Sequence, residues 1–145
     1  MADDLTQFFD EAGIAAEPPS TKEAGALWAR WREAYASNAG VQRHAPKGIP
    51  WHAFSYGFSE HAKGQAAVAA YREVEEREYC LLLQDRLPAA YRCRSDVLPD
   101  AGSLGIDMYV VAVDCSWTMV FTHEGPEVSS MALGPYFAWR DWQVR

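Results

Sequence analysis

IDMYVVAVDCSWTMVFTH, residues 106–123, is the stretch that decides the fold. β-branched and aromatic residues, which favour strands, fill both of its halves, Ile106–Asp114 and Trp117–His123. The halves meet at Asp114-Cys115-Ser116, a connection short enough for an antiparallel hairpin. A third β-rich run, Met131–Trp139, follows after a short polar connection, so we predict a C-terminal meander of three strands.

Upstream of this stretch the sequence predicts a strand, a helix and two more strands. Trp51–Tyr56 alternates rings with small or polar side chains, which is typical of a half-buried strand. Ser59 is placed to cap a helix over 60–76, whose predicted buried stripe is Ala66, Ala67, Ala70, Tyr71 and Val74. The apolar run Tyr79–Leu83 predicts a strand covered on both faces, and Tyr91–Val97 predicts a short edge strand.

The N-terminal part predicts two amphipathic helices. The first runs from Asp3 to about Gly13, with apolar residues at helical spacing. Pro18-Pro19 then interrupts the chain, and Ser20 with Glu23 has the form of a capping box that opens the second helix. The predicted buried face of this helix is Ala24, Leu27, Trp28, Trp31 and Tyr35. We expect it to end near Gly40.

The order of these elements indicates the fold class. Helices come first and a meander comes last, which favours an α+β fold over alternating β and α units. We therefore predict a single α+β domain over 1–145, with two N-terminal helices, a central strand–helix unit and a mostly antiparallel sheet ending in the C-terminal meander. Residues 1–40 form its helical N-terminal part. A chain of 145 residues is long enough for one domain with a sizeable core.

The charge of the chain limits its partners. It carries 13 basic and 20 acidic residues, for a formal net charge of −7, and each third of it is net acidic. It therefore lacks the basic patch that nucleic-acid binding requires. The first residues are acidic where a secretion signal would be basic, and no apolar run approaches a membrane span. We expect a cytoplasmic protein with no nucleic-acid and no membrane partner, whose acidic surface favours encounter with a basic protein.

Few residues form a pattern typical of catalysis or metal binding. Cys80, Cys93 and Cys115 lack the spacing of a zinc site or a disulfide framework, so we expect no metal and no cofactor. A nucleophilic Cys115 would need a nearby His and a lowered pKa. His123-Glu124 has the residue types of a general base with its carboxylate. Neighbouring strand residues face opposite ways, however, which favours a structural His.

Two groups of residues are candidates for binding a protein partner. The first is the acidic run at the predicted end of the third helix, and the second is the pair of tryptophans near the C-terminus. Their members are Glu73, Glu75, Glu76, Trp139 and Trp142. Paired carboxylates can also do acid–base work or hold a hard cation, but the interleaved Arg72 and Arg77 favour a solvated charged face. Aromatic residues make up 13% of the chain, so some rings are available for contact with a partner.

Gly134-Pro135 interrupts the third β-rich run. Proline cannot donate a hydrogen bond to a sheet, so the strand must have an edge, a bulge or an abrupt end there. Either the break presents Tyr136, Phe137 and Trp139 on an unpaired edge, or a bulge buries these rings in the core. The sequence leaves both alternatives open.

Several of these segments together resemble a family of small bacterial proteins of unknown function. They are Trp51–Tyr56 (WHAFSY), Gly64 with Ala66-Ala67, Ser116–Glu124 (SWTMVFTHE) and Leu133–Phe137 (LGPYF). The resemblance covers residues 51–139 and implies that this range is the family-like core. It implies no activity, because the family has none established.

Two functions from different classes are compatible with these patterns. Small acidic α+β proteins of this kind are similar, by class alone, to immunity proteins, which bind and neutralise a toxin encoded beside them. We therefore expect a non-enzymatic binding protein whose partner is a basic toxin or effector. The alternative is a small enzyme or ligand-binding domain with a pocket near His123, Glu124 and Tyr136.

Overall fold

The computed structural model describes residues 4–35, 61–84, 86–101, 104, 106–122 and 135–140. This part of the chain contains three helices, α1 (Asp4–Ala12), α2 (Thr21–Tyr35) and α3 (Gln65–Arg72). It also contains seven strands: β1 (Ala15–Glu17), β2 (Ala62–Lys63), β3 (Glu78–Leu83), β4 (Ala90–Arg94), β5 (Met108–Ala112), β6 (Trp117–Phe121) and β7 (Tyr136–Trp139). The predicted strand Trp51–Tyr56, its neighbour Ser59 and the predicted helix end near Gly40 lie outside the described residues.

The seven strands form one sheet in the order β1-β4-β3-β5-β6-β7-β2, and every neighbouring pair is antiparallel. Met108 lies opposite Phe121, and Val120 lies opposite Tyr136. The predicted meander of β5, β6 and β7 is therefore confirmed, and so is the α+β class. Tyr79–Leu83 of β3 are all buried, and they pack alternately on the two faces of the sheet, which confirms the prediction of a strand covered on both faces.

Helices cover both faces of the sheet. On one face the odd residues of β3 and the even residues of β5 pack with Leu5 and Phe9 of α1 and with Ala67 and Tyr71 of α3. On the other face the alternate residues pack against α2. The side chains that α2 buries are Ala24, Trp28, Trp31 and Tyr35, which are four of the five residues predicted for its buried face. The fifth, Leu27, is only half-buried. The core consequently has two halves, separated by the sheet.

Local signals fix the ends of the two N-terminal helices. Gly13 adopts a φ of 68°, a left-handed conformation that glycine takes at little cost and that ends α1. The backbone N–H of Glu23 donates to the Ser20 hydroxyl over 3.1 Å, which is half of the predicted capping box. Both boundaries could therefore be found from the sequence.

The third helix is shorter than its predicted range of 60–76. Gly64 has a φ of 63°, and its N–H donates to the Pro135 carbonyl over 2.9 Å. This contact places β2 beside β7, so the helix begins only at Gln65. It ends at Arg72, and Glu73, Glu75 and Glu76 therefore lie in the loop that follows it. The prediction of a helix at these carboxylates is wrong.

Two predictions about sheet edges are also corrected. β4 is not an edge strand, because β1 pairs with it, with Ala16 opposite Cys93. The N-terminal part is accordingly not purely helical. β7 is not an open edge either, because it lies between β6 and β2. The sequence left open whether the rings after Gly134-Pro135 are exposed on an edge or buried in the core. Tyr136 and Phe137 are both buried.

Candidate protein-binding surface

The sheet topology gathers loops from distant parts of the sequence at one of its ends. Tyr79 near the start of β3 lies opposite Ala112 at the end of β5. Glu78 at the start of β3 pairs with Arg94 at the end of β4. The loop before β3, the loop after β4 and the β5–β6 turn therefore lie at this end. We call it the acidic end, after its carboxylates Glu73, Glu75, Glu76, Glu78, Asp96 and Asp114.

Hydrogen bonds hold two of these loops together and anchor them to buried tyrosines. The Ser95 N–H donates to the Arg77 carbonyl over 3.2 Å, and the Ser95 hydroxyl donates to the Val97 carbonyl over 2.7 Å. Because that hydroxyl has only one proton, the Tyr79 phenol donates to the Ser95 oxygen at 2.6 Å. The Tyr71 phenol donates to the Pro99 carbonyl over 2.6 Å. The exposed carboxylates are thus presented on loops anchored to the core.

The six carboxylates at the acidic end outnumber the four arginines that contact its loops, Arg30, Arg77, Arg94 and Arg140. The Arg77 guanidinium donates to the backbone carbonyls of Val74 and Glu76, each over 2.9 Å. Arg94 forms an ion pair with Glu78. Within the described residues, no ion pair involves Glu73, Glu75 or Glu76, which are all exposed. The surface therefore carries net negative charge at neutral pH.

The β5–β6 turn supplies one more carboxylate, Asp114. The hydroxyl and the backbone N–H of Ser116 hold the pKa of Asp114 below its ordinary value, so it is ionised at neutral pH. Cys115 has a φ of 61°, and its carbonyl accepts a 2.7 Å hydrogen bond from the Tyr35 phenol of α2. Arg140 donates to the Asp114 carbonyl over 2.7 Å. These bonds fix the turn from both sides.

The tryptophan group lies only partly at this surface. Trp139 ends β7 opposite Trp117, at the same end of the sheet as the carboxylates. β5 and β6 separate it from β3, which is a distance of about 14 Å at the usual strand spacing. Its ring packs edge-on against Phe137 at 5.3 Å and is half-buried, so it is less accessible than its position in the sequence predicts. Trp142 lies outside the described residues.

Tyr136 does not line the pocket that the alternative function requires near His123, Glu124 and Tyr136. Tyr136 is 1% exposed, and its ring meets the ring of His61 at 5.4 Å. It therefore does not line an open cavity, which corrects its assignment to that pocket. His123 and Glu124 lie outside the described residues.

The three thiols are buried and weakly acidic. Burial raises the pKa of Cys80 and of Cys115, and it raises the pKa of Cys93 to about 12. A nucleophilic cysteine needs the opposite shift, so the geometry does not support Cys115 in that role. Cys80 packs in the core, as its apolar neighbours in the sequence predict. Among the described residues, no group of three possible metal ligands occurs.

Sequence patterns alone missed part of this surface. Asp96 and the exposed Val113 join it only because β4 and β5 end beside the start of β3. The strand β1 has three residues and no alternating pattern long enough to detect. Asp114 could have been found, because Asp-Cys-Ser is a turn signal between two strands.

Most of the chain matches a known protein family. Residues 25–137, which run from α2 into β7, match the profile of a family described as Domain of unknown function (DUF4275). The chain belongs to this family. The match begins inside α2, so the family range starts earlier than the predicted family-like core of 51–139. No curated protein matches this DUF4275 member, and no solved structure does.

The DUF4275 range contains most of α2, all of α3 and the carboxylates of the acidic end, and it leaves out α1 and β1. In the part of the chain that the structure describes, no helix has the length and apolar character that crossing a membrane requires.

Proposed function

We propose that this DUF4275 protein is a non-enzymatic binding protein and, more specifically, an immunity protein that neutralises a basic toxin or effector. The observation that carries the proposal is the acidic end of the sheet. There, Glu75 and Glu76 are exposed on a loop and form no ion pair with a described residue, and the guanidinium of Arg77 donates to backbone carbonyls instead. A surface of this kind attracts a positively charged partner over a distance comparable to the Debye length.

The proposed mechanism is masking of the partner's active site. Toxins that cleave or bind nucleic acids carry basic clefts, and an acidic protein competes for the same positive charge. Anchored loops favour tight binding, because little conformational entropy is lost when they meet the partner. Ser95, Tyr79 and Tyr71 provide this anchoring in the structure.

Residues with different physical roles should affect different rate constants. Glu73, Glu75 and Glu76 act at long range and chiefly set the rate of association. Trp139 and Trp142 act at contact and chiefly slow dissociation. The half-burial of Trp139 against Phe137 limits how much of its ring a partner can cover.

Co-expression with the product of the adjacent gene tests the proposal. Cells that produce both proteins should survive, and cells that produce the neighbour alone should not. Replacement of Glu73, Glu75 and Glu76 by Lys should reduce this protection. If the protein protects against no neighbouring product, while the purified protein converts a small molecule, the proposal is wrong.

A further inference from the structure

A continuous groove crosses the acidic end of the sheet. Two adjoining depressions of about 660 and about 610 Å³ share Glu78, Arg94 and Val113 in their walls. One extends toward β1 at Ala15–Glu17, and the other extends toward the Glu76 loop and the β5–β6 turn. We call the two depressions together the sheet-end groove.

We infer that the sheet-end groove binds one extended segment of the partner protein, which places an aliphatic side chain against Val113 and a Lys or Arg beside Asp96 and Asp114. This inference rests on the proposed function, since it assigns the contact site of that partner.

An exposed valine marks the apolar part of the groove. Val113 is 56% exposed, whereas all five residues of β5 that precede it are buried. Ala112 lies beside it in the groove wall. An apolar side chain that covers Val113 removes this surface from water, which favours the complex.

Charge complementarity identifies the class of the occupant. Glu76 and Asp96 line the groove near Val113, and no ion pair with either occurs among the described residues. Arg94 pairs with Glu78, and Arg30, Arg77 and Arg140 donate to backbone carbonyls. The six carboxylates of the acidic end outnumber these four arginines, so an acidic segment would be repelled here. A Lys or Arg would meet carboxylates without first breaking an ion pair.

The length of the groove indicates that the segment bound in it is extended. It crosses from β1 over β4 and β3 to β5, which is three strand spacings or about 14 Å. About four residues of extended chain span that distance. A helix of the same length would have about nine residues, which is too few to be stable before it binds.

A displayed library of short random peptides tests the inference, with the purified full-length protein as the target. Peptides that bind should combine Lys or Arg with an aliphatic residue. Their affinity should fall about tenfold for Val113→Asn, which puts a polar amide where an apolar contact is expected without changing the charge, and also for Asp96→Lys. The control is Leu87→Asn, since Leu87 is 92% exposed in the β3–β4 connection at the opposite end of the sheet.

Three outcomes would overturn the inference: no enriched sequence, enriched peptides that bind Val113→Asn as tightly as the parent, or self-association of the protein that Val113→Asn abolishes. The circular dichroism of both variants is compared with that of the parent, so that a loss of binding is not mistaken for unfolding. Protection in the co-expression assay separates failure of the groove assignment from failure of the proposed function. If Val113→Asn and Asp96→Lys both still protect the cell, the groove assignment fails and the immunity function stands.

Discussion

At the scale of single residues, the buried polar groups of α2 are met by specific partners in the sheet. The Trp31 indole N–H donates to the Thr118 hydroxyl over 3.0 Å, and that hydroxyl donates to the Val110 carbonyl over 3.0 Å. Trp31 and Thr118 are both fully buried. The threonine hydroxyl therefore satisfies a donor and an acceptor that water cannot reach.

Thr118→Val should destabilise the fold because it leaves the Trp31 N–H without an acceptor. We expect a loss of about 1–3 kcal/mol in the free energy of unfolding, measured by urea denaturation. Thr118→Ser is the matched control, since it keeps the hydroxyl. If the valine variant is no less stable than the serine variant, the hydrogen-bond relay does not stabilise the protein.

Tyr79 should make stability depend on pH in the alkaline range. Burial raises its pKa from 10.0 to about 12, because the phenolate is poorly solvated in the core. The unfolded chain ionises near pH 10 and the folded chain near pH 12. The stability that this shift contributes is complete below pH 10 and is lost as the pH rises through 12.

Comparison with Tyr79→Phe isolates this titration. The phenylalanine variant loses the hydrogen bond to Ser95 and should be less stable than the parent below pH 10. Above pH 10 the difference in the free energy of unfolding should shrink, because only the parent gains from ionising when it unfolds. A constant difference from pH 9 to 12 would contradict the assigned burial of Tyr79.

At the scale of the elements, local signals decide where helices begin. Ser20→Ala removes the hydroxyl that accepts the Glu23 N–H, and it should lower the free energy of unfolding by about 1 kcal/mol. Ser20→Asp keeps an acceptor at the cap and should be close to the parent in stability. Chemical denaturation of the three proteins gives the comparison, and equal stability of the alanine variant would show that Ser20 does not cap α2.

The same scale shows which elements could be predicted from sequence. α1, α2, β3 and the hairpin of β5 and β6 follow from periodicity, caps and turn residues, because each is long enough to show its pattern. The start of α3 could not be predicted, because it depends on the hydrogen bond from Gly64 to Pro135, far away in the sequence. β1 has three residues, and pairing with β4 rather than its own composition makes it a strand.

At the scale of the whole molecule, the acidic end depends on both composition and topology. The net charge predicts a basic partner, and the run Glu73, Glu75 and Glu76 is visible in the sequence. Asp96, Asp114 and the groove become part of the same surface only through the order of the strands. Strand order is a long-range property, so the sequence could indicate some of the residues of this surface but not their arrangement.

The rate of association with the purified product of the adjacent gene tests the central claim most directly. It should be measured by stopped flow at several salt concentrations for the parent, for Glu73, Glu75 and Glu76 replaced together by Gln, and for a control. The control makes the same charge change at the opposite end of the sheet, with Lys in place of the exposed residues Gln65, Ala66 and Leu87. We predict that the acidic-end variant associates markedly more slowly than the control and depends less on salt, because steering by those carboxylates is lost. Equal rates for the two variants, or no binding by the parent, would contradict the account.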